Sequence, residues 1–427
     1  MKFKASQAVN QRIERISTNH LVVGIDIAKE VHVAAAVNFR GIQQGRVLSF
    51  PNNLDGAEQL LRWIHELQAQ SGLSEVIFGA ESTGHYFLNL AMYLREQGYT
   101  VVLVNPLTTR RNKENRDNKP SKNDAKDAVI IADAVSRGYY SDWRMPEPLY
   151  RKLRCLVDEQ EMLSKDMASL GNQIQTALDQ VFPEFTSVFR HWNQIRARAT
   201  LKQFPLPDDL RGLTAEEIVQ GWRAAGMTRA GGRSGLQAAT ELLHTARRSI
   251  GLCEVAGEMK ERIGRLLQRY EALEEQSAAI GEGLEKLLAQ LSPEARQPLE
   301  ALCISPWLTA VLLANTGDLR AYAHGNQVLA LAGLNLAECS SGKRRGQITL
   351  SKRGRRQLRK YLYLTVLGLV VNHPAFKRWH AHNVNSLRMK KNTSILKLVG
   401  KLARILVGLA HSGECFDEQR HPVHLAA

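Results

Sequence analysis

Four acidic residues stand where a carboxylate is unusual or where two share a face. Asp26 lies inside the first apolar run of the chain, and Glu81 closes the fourth. Asp124 and Asp127 are three residues apart, so a helix places them on one face. A charge within an apolar strand is costly unless it is paired or bound to metal. Brought together, four carboxylates suit Mg²⁺, with Mn²⁺ as the alternative, since these ions take carboxylate oxygens plus substrate phosphate.

Each acid also has an ordinary structural interpretation when it is taken alone. Asp124 can form a capping box with Ser121 at the start of a helix, and Asp127 can be a surface residue. Glu81 can cap the helix that follows its strand. The joint placement of the four acids on matching elements is what favours a metal site.

A second candidate site is the polar loop around Ser341, which Gly342 follows. A serine that attacks phosphate needs a group to remove its proton and cations to stabilise the transferring phosphate. The loop and its flank supply the cations Lys343, Arg344, Arg345, Lys352, Arg353, Arg355, Arg356 and Arg359. On these residues alone, a turn that clamps phosphate is the better interpretation.

The positive charge of the chain is concentrated near its end. The formal net charge is +15, and residues 341–420 hold 18 Lys and Arg against three acids. Charge so concentrated predicts a polyanionic partner, although a solvated basic face remains an alternative. An anionic membrane surface is a further alternative, because residues 392–411 are basic and partly amphipathic.

Other features of composition narrow the class of protein. The chain starts without the apolar run of a secretory signal, and its longest apolar stretch, residues 361–371, is too short to cross a bilayer. Its five cysteines are scattered without a CxxC pair, which argues against a zinc site and a disulfide framework. We therefore expect a cytoplasmic protein with no membrane partner.

The elements that must position the four acids form an α/β pattern. Apolar runs at 21–27, 31–37 and 47–50 predict three strands, and helix 55–68, strand 76–80, helix 87–96, strand 100–104 and helix 124–136 follow. A basic, turn-rich loop is expected at 108–123. Three strands followed by alternating helices and strands is the order of ribonuclease-H-like (RuvC-like) folds, in which the first and fourth strands are neighbours.

The rest of the chain is predicted to be mainly helical. Two long stretches with apolar residues at heptad spacing indicate an antiparallel or intermolecular coiled coil, or an ordinary helical bundle. The sequence predicts six segments. They are an N-terminal extension at 1–20, the RuvC-like domain at 21–145 and a first long helix at 146–182. A helical insertion at 183–251, a second long helix at 252–294 and a helical domain carrying Ser341 at 295–427 follow.

At these residues the chain resembles the DEDD-type transposases of bacterial insertion sequences, the insertion-sequence 110 family with its 1111 subgroup. The matching stretches are residues 24–29, 81–86, 104–106, 123–128, 332–334, 341–342, 351–354 and 358–359. The resemblance covers about residues 20–145 and 295–415, and the ordered combination of motifs is specific.

The resemblance implies a reaction and a set of partners. Asp26, Glu81, Asp124 and Asp127 would hold Mg²⁺, and Ser341 would be the nucleophile in DNA cleavage and rejoining. A structured non-coding RNA from the element's own ends would pair with donor and target DNA, as in other RNA-guided systems. The protein would assemble as dimers and tetramers. Nucleic acid would also contact the basic stretch that includes Arg110, Arg111 and Lys113.

The chain departs from the family pattern in three places. Residues 304–307 replace a glycine-rich turn that many relatives use on the DNA backbone, and residues 182–251 lengthen the chain. Ser340 adjoins Ser341, so the choice of nucleophile depends on Gly342.

The sequence is also compatible with three other functions. A RuvC-like junction nuclease would use the four acids without a serine. An actin-like ATPase shares the sheet and a first-strand Gly-x-Asp, but it needs a second such domain that the helical half does not offer. A non-catalytic RNA-binding protein would need neither the acids nor Ser341.

Overall fold

The computed structural model describes residues 7, 10–81, 84–116, 124–143, 145–338 and 348–419. The chain divides into two compact units, Met1–Met145 and Pro146–Ala427. None of the helices within these described ranges is long and apolar enough to cross a membrane.

The first unit is built on one mixed sheet of six strands. Its strands are β1 (His20–Asp26), β2 (Val31–Val37), β3 (Gln43–Pro51), β4 (Glu75–Glu81), β5 (Thr100–Val104) and β6 (Ser141–Asp142). The spatial order is β3-β2-β1-β4-β5-β6. Strands β1, β4 and β5 run parallel, and the others pair antiparallel. This order confirms the predicted ribonuclease-H-like α/β fold.

Helices cover both faces of the sheet, because the central strands are apolar on both sides. They are α1 (Leu54–Ser71), α2 (Phe87–Glu96), α3 (Pro106–Arg116) and α4 (Asp124–Ser136). Leu21, Val23 and Ile25 of β1 pack in one core with α1 and α2, while Val22 packs in another core with α4. Alternate residues of β1 therefore face opposite helical layers.

The prediction of a turn-rich loop at 108–123 was wrong for its first part, because helix α3 begins at Pro106. The Asn105 side chain accepts a hydrogen bond from the backbone N–H of Leu107 at 2.9 Å. Asparagine as a cap followed by proline at the first helical position is a helix-start signal. The same Asn-Pro pair therefore ends β5 and begins α3.

Two long helices form the axis of the second unit. They are α5 (Pro148–Val181) and α10 (Ala256–Gln290), and they pack against each other. Gln160 donates to Ser277 Oγ at 2.5 Å, and a Cβ at Gly283 would lie 3.2 Å from Leu156 Cδ1. The earlier residue of α5, Leu156, thus contacts the later residue of α10, Gly283. The two helices are therefore antiparallel within one chain.

A small helical insertion joins the far ends of the long helices. Its helices are α6 (Phe185–Val188), α7 (Ile195–Gln203), α8 (Ala215–Ala224) and α9 (Arg233–Arg247). Trp222 is fully buried, and its indole N–H donates to Thr200 Oγ1 at 2.8 Å. The insertion shares one core with the adjacent ends of α5 and α10.

The C-terminal part packs on the near ends of the long helices. It contains α11 (Pro293–Glu300), α12 (Pro306–Thr316), α13 (Gly325–Leu331), β7 (Leu336–Glu338), β8 (Ile348–Leu350), α14 (Arg356–Asn372), α15 (Pro374–Ala381) and α16 (Lys391–Ser412). A π-helical turn, His382–Ser386, connects α15 toward α16. Half of the residues of α16 are buried, and Leu398, Leu402 and Leu406 lie in the same core as Leu153 and Leu284 of the long helices.

Candidate active site and nucleic-acid interface

Asp26 and Glu81 lie side by side at the carboxyl edge of the sheet. The parallel register of β1 and β4 pairs Ile25 with Ala80, so the next residues of both strands are the two acids. Both side chains are half-buried. The predicted convergence of the first and fourth strands is therefore present in the backbone.

Two glycines explain how helix α4 approaches this edge. Gly24 and Gly79 stand two residues before the acids, hence on the same sheet face. A Cβ at Gly24 would lie 2.2 Å from the carbonyl oxygen of Ala128 and 2.3 Å from the amide nitrogen of Ala132. A Cβ at Gly79 would lie 2.4 Å from Cγ2 of Val135. Only glycine permits so close a contact between the helix and the two strands.

The start of α4 points toward the acidic edge. A Cβ at Gly41, in the turn beside the beginning of β1, would lie 2.5 Å from Oδ1 of Asp133 near the end of the helix. Gly24, near the end of β1, instead contacts Ala128 near the start of the helix. Helix α4 therefore runs antiparallel to β1, and its first turn lies toward the edge where β1 ends.

Asp124 and Asp127 occupy that first turn. They lie four residues before Ala128 and Ile131, which face the sheet, so they belong to the same helix face. Asp124 is exposed, and Asp127 is half-buried and has a partner within the chain. Among the described residues, no three His, Cys, Asp or Glu side chains form a ready metal cage. The donor set consists only of carboxylates, as a magnesium site needs.

Basic and aromatic side chains border this edge. Arg110 and Arg111 are exposed on α3, which leaves the end of β5, whereas the side chain of Lys113 lies outside the described residues. The rings of His85 and Tyr86, which follow β4, contact each other with centroids 4.2 Å apart and planes tilted by 42°. We gave this aromatic pair no role from the sequence, although its position four residues after Glu81 was the available signal.

Ser341 and its neighbours Ser340, Lys343, Arg344 and Arg345 lie outside the described residues. The flanking strands are described, and they form an antiparallel hairpin in which Leu336 pairs with Leu350 and Glu338 with Ile348. The two ends of the segment that carries Ser341 are thus adjacent.

Two glycines close the base of this hairpin. Gly333 has φ +67°, and its Cβ would lie 2.8 Å from the backbone of Arg353. A Cβ at Gly354 would lie 2.3 Å from the amide nitrogen of Gly333. The amide of Lys352 donates to the carbonyl of Gly333 at 2.9 Å. The Gly-bearing motifs at 332–334 and 351–354 are therefore one interlocked turn.

The cations that flank the hairpin fall into two groups. Arg359 donates to the carbonyls of Ala332, at 2.8 Å, and Lys352, at 3.3 Å, and Arg355 donates to the carbonyl of Asn315. Lys352, Arg353 and Arg356 have exposed side chains. Arg359 thus braces the interlocked turn and Arg355 ties the start of α14 to α12, while Lys352, Arg353 and Arg356 face solvent.

A polar network ties the start of α5 to this region. Arg154 donates to Oδ1 of Asn315 at 2.8 Å, and Asn315 donates to Gln357 at 2.8 Å. Glu161 accepts hydrogen bonds from Gln357 and Lys360. Partial burial opposes ionisation of Glu161, but these hydrogen bonds hold its pKa below the ordinary value. Sequence periodicity carries no signal for this network.

Comparison with known proteins gives matches in both units. Residues 23–183 match the model of DEDD transposases of the IS110 type, and residues 301–381 match the model of the transposase IS116/IS110/IS902 family. A protein of Streptomyces clavuligerus described as the insertion element IS116 uncharacterized 44.8 kDa protein is 25% identical over 361 residues, covering 82% of this chain and 85% of the relative.

The ribonuclease-H-like sheet and these matches define a transposase, an enzyme that cleaves and rejoins DNA. The two matches lie in the expected order and together span more than half of the chain. The chain belongs to the IS110 family of insertion-sequence transposases.

Proposed function

We propose that this transposase cleaves DNA with a metal site at the sheet edge and a serine nucleophile, Ser341. The observation that carries the first part is the backbone placement of the acids. Strand register sets Asp26 beside Glu81, and the close helix contact at Gly24 directs the first turn of α4, with Asp124 and Asp127, toward them. Mg²⁺ bound there would neutralise charge on the scissile phosphate.

The proposed step conserves the energy of the phosphodiester bond. The hydroxyl of Ser341 loses its proton as its oxygen attacks phosphorus, and the bond to the leaving strand oxygen breaks as that oxygen takes up a proton. A phosphoserine ester results. The hydroxyl of a new strand end then attacks the same phosphorus and releases the serine, so rejoining needs no ATP.

The chain's own residues would bring substrate and serine together. Lys352, Arg353 and Arg356 are exposed beside the ends of the serine segment and would bind backbone phosphate. Arg359 would hold the interlocked turn, and thereby the hairpin, in place. The resemblance to the family further implies a structured guide RNA, Mg²⁺ dependence, and a dimer or tetramer in which the serine of one protomer can meet the acids of another.

A covalent adduct tests the serine. Wild-type protein, labelled donor and target DNA, the element's RNA and Mg²⁺ would be run on a denaturing gel. We expect a shifted protein–DNA band with wild type and with Ser340→Ala, and none with Ser341→Ala, although Ser341→Ala still binds DNA.

The same gel separates the recombinase from the rival junction nuclease. A nuclease activates water, so it would give cut strands with free ends and no adduct in any variant. An adduct that persists in Ser341→Ala, or that disappears only in Ser340→Ala, would overturn the assignment of the nucleophile.

A further inference from the structure

We propose that a basic loop before helix α16, formed by Arg388, Lys390 and Lys391, is a binding site for the phosphate backbone of nucleic acid. We call residues 387–391 the 388 loop. The proposal rests on the proposed function only in that the protein acts on nucleic acid, and it concerns a surface separate from the serine hairpin.

The three cations of the 388 loop are exposed and unpaired. No ion pair involves Arg388, Lys390 or Lys391 within the part of the chain that the structure describes. Two other cations of the C-terminal part are paired, by contrast: Lys360 with Glu161 at 2.8 Å, and Arg378 with Glu418. The positive charge of the 388 loop is therefore not neutralised within its own surroundings.

Lys390 and Lys391 place positive charge at the N-terminus of α16, where the helix dipole favours negative charge. Lys390 is the cap residue and Lys391 the first residue of α16, a helix of 22 residues with no acid in its first turn. A helix N-terminus favours anions and is destabilised by cations. Where side chains cap helices of this chain, for example at Asn53, Thr214 and Ser305, the capping atom is an oxygen that accepts a hydrogen bond.

Lys390 and Lys391 therefore gain no stabilisation from the helix dipole. A bound anion would reverse the unfavourable interaction, since it would complement both the side chains and the helix end. Three exposed cations within four positions match a polyanion better than a single carboxylate.

The backbone that carries the cations is held in a defined conformation. The amide of Leu387 donates to the carbonyl of His382 at 3.1 Å, and the amide of Met389 donates to the carbonyl of Asn383 at 3.0 Å. Arg388 between them has φ 53°, a left-handed conformation that is unfavourable for arginine.

A buried polar cluster fixes this turn to α16. The side chain of Asn383 is buried and donates to Ser394 Oγ at 3.1 Å, and His380 Nδ1 lies 2.9 Å from the same oxygen. These hydrogen bonds hold the backbone that carries the cations in place. Less conformational entropy is therefore lost when the loop binds a partner of regular geometry.

A membrane surface is the other polyanion that attracts such a loop, but the burial of α16 argues against it. Membrane-surface helices bury their apolar face in lipid. The apolar residues of α16, including Ile395, Leu398 and Leu402, are instead buried in the core of the C-terminal part. Nucleic-acid phosphate is therefore the partner that we propose.

The test compares two triple variants with the same net charge. One is Arg388→Gln with Lys390→Gln and Lys391→Gln. The control is Lys165→Gln with Arg265→Gln and Lys286→Gln, three exposed cations of the long helices. Binding of a short DNA duplex of arbitrary sequence, a structured RNA hairpin and anionic phosphatidylserine vesicles is measured over a range of salt concentrations.

We expect the loop variant to bind duplex DNA about tenfold or more weakly, with a log–log salt slope shallower by about two to three units. The control should keep the wild-type slope. A change confined to the duplex identifies DNA as the source of the phosphate, and one confined to the hairpin identifies RNA. Equal slopes for the two variants, or an effect seen only on vesicles, would overturn the proposal.

A charge reversal separates binding from folding. Lys391→Glu should melt at or above the wild-type temperature, because an acid suits the first turn of a helix, and yet bind nucleic acid more weakly. A melting temperature that falls in parallel with affinity would assign these lysines a structural role and refute the proposal. Failure of the wild-type protein to bind either nucleic acid would instead contradict the proposed function itself.

Discussion

Asp26 and Glu81 each stand two residues after a glycine, and strand geometry explains this shared pattern. Asp26 follows Gly24 by two residues, and Glu81 follows Gly79 by two. Residues two apart lie on one face of a strand, so each glycine admits helix α4 to the face on which the next acid projects. Gly-x-acid at the end of two neighbouring strands is therefore a signal for the helix contact as well as for the site.

Neutralising either strand acid should abolish strand cleavage. Asp26→Asn and Glu81→Gln keep side-chain size but remove the charge that would hold Mg²⁺. Loss of such stabilisation, worth several kcal/mol, predicts a fall in cleavage rate of roughly 100-fold or more. The measurement is single-turnover cleavage of labelled DNA, with thermal melts to verify folding. Glu66→Gln, an exposed acid of α1, makes the same charge change and should retain activity. Undiminished cleavage by Asp26→Asn would contradict the metal site.

His32 predicts a pH dependence of stability. Its ring is 1% exposed, and burial lowers its pKa below the ordinary value of about 6.5. Protonation then favours the unfolded chain, so this contribution to stability is complete above pH 6.5 and declines as pH falls below it. Urea unfolding at pH 7.5 and 5.5 should show the decline. His32→Gln should reduce it, whereas His65→Gln, an exposed histidine, should not. His373, whose pKa burial also lowers, should leave a residual dependence. An unchanged pH dependence in His32→Gln would refute this prediction.

Element types were predictable from the sequence wherever periodicity was strong. The predicted strand at 21–27 is β1, His20–Asp26, and the predicted helices at 87–96 and 124–136 have the observed bounds. The sequence does not predict α3, the edge strand β6 or the hairpin β7–β8, and it predicts α11 and α15 only as part of a mainly helical region. These are short or polar elements, and their stability comes from tertiary contacts that a local pattern does not contain.

The sequence points to the candidate acids, but it does not identify the residues that hold the serine hairpin in place. Apolar strands make Asp26 and Glu81 conspicuous, because a carboxylate there needs an explanation. The roles of Arg359 and Asn315 are defined by partners distant in sequence, such as Ala332 and Arg154. No spacing rule identifies such partners, so the bracing role of Arg359 and the place of Asn315 in a polar network could be found only in the structure.

A single methyl group added at Gly24 should displace helix α4 from the sheet. Gly24→Ala would set its Cβ against the backbone of Ala128, where no flexible side chain can yield. Overpacking predicts a loss of about 1–3 kcal/mol in the free energy of unfolding and a larger loss of cleavage. Urea denaturation and the cleavage assay measure both effects. Gly264→Ala on α10 meets open space and should stabilise by about 0.5–1 kcal/mol. Equal behaviour of the two variants would argue against the close contact.

The second unit holds two separate hydrophobic cores. All buried residues of the insertion core lie between Leu170 and Leu267, whereas the C-terminal core uses Leu163 and Ile280 of the long helices. Among the described residues of this unit, only the partly buried Leu273 packs against both cores. The boundary between the cores therefore crosses α5 and α10 within a few residues.

We expect the two cores to fold independently. A fragment of residues 166–274 should be helical by circular dichroism and melt cooperatively. The complementary chain, with those residues replaced by a short Gly/Ser loop, should keep a buried Trp379 and its emission spectrum, since α5 and α10 are antiparallel neighbours there. A fragment that stays unfolded, or a shortened chain that exposes Trp379, would show that the cores depend on each other.

The long helix pair also has a mechanical consequence. Helices of 34 and 35 residues extend about 50 Å. The C-terminal core holds one end, and the insertion core is built around the other. A tilt of only about 5° at the held end would carry the far end through roughly 4 Å over that length. The network of Arg154, Asn315 and Gln357 lies at the held end, so a small repacking beside the serine hairpin would be amplified into a displacement of the whole insertion.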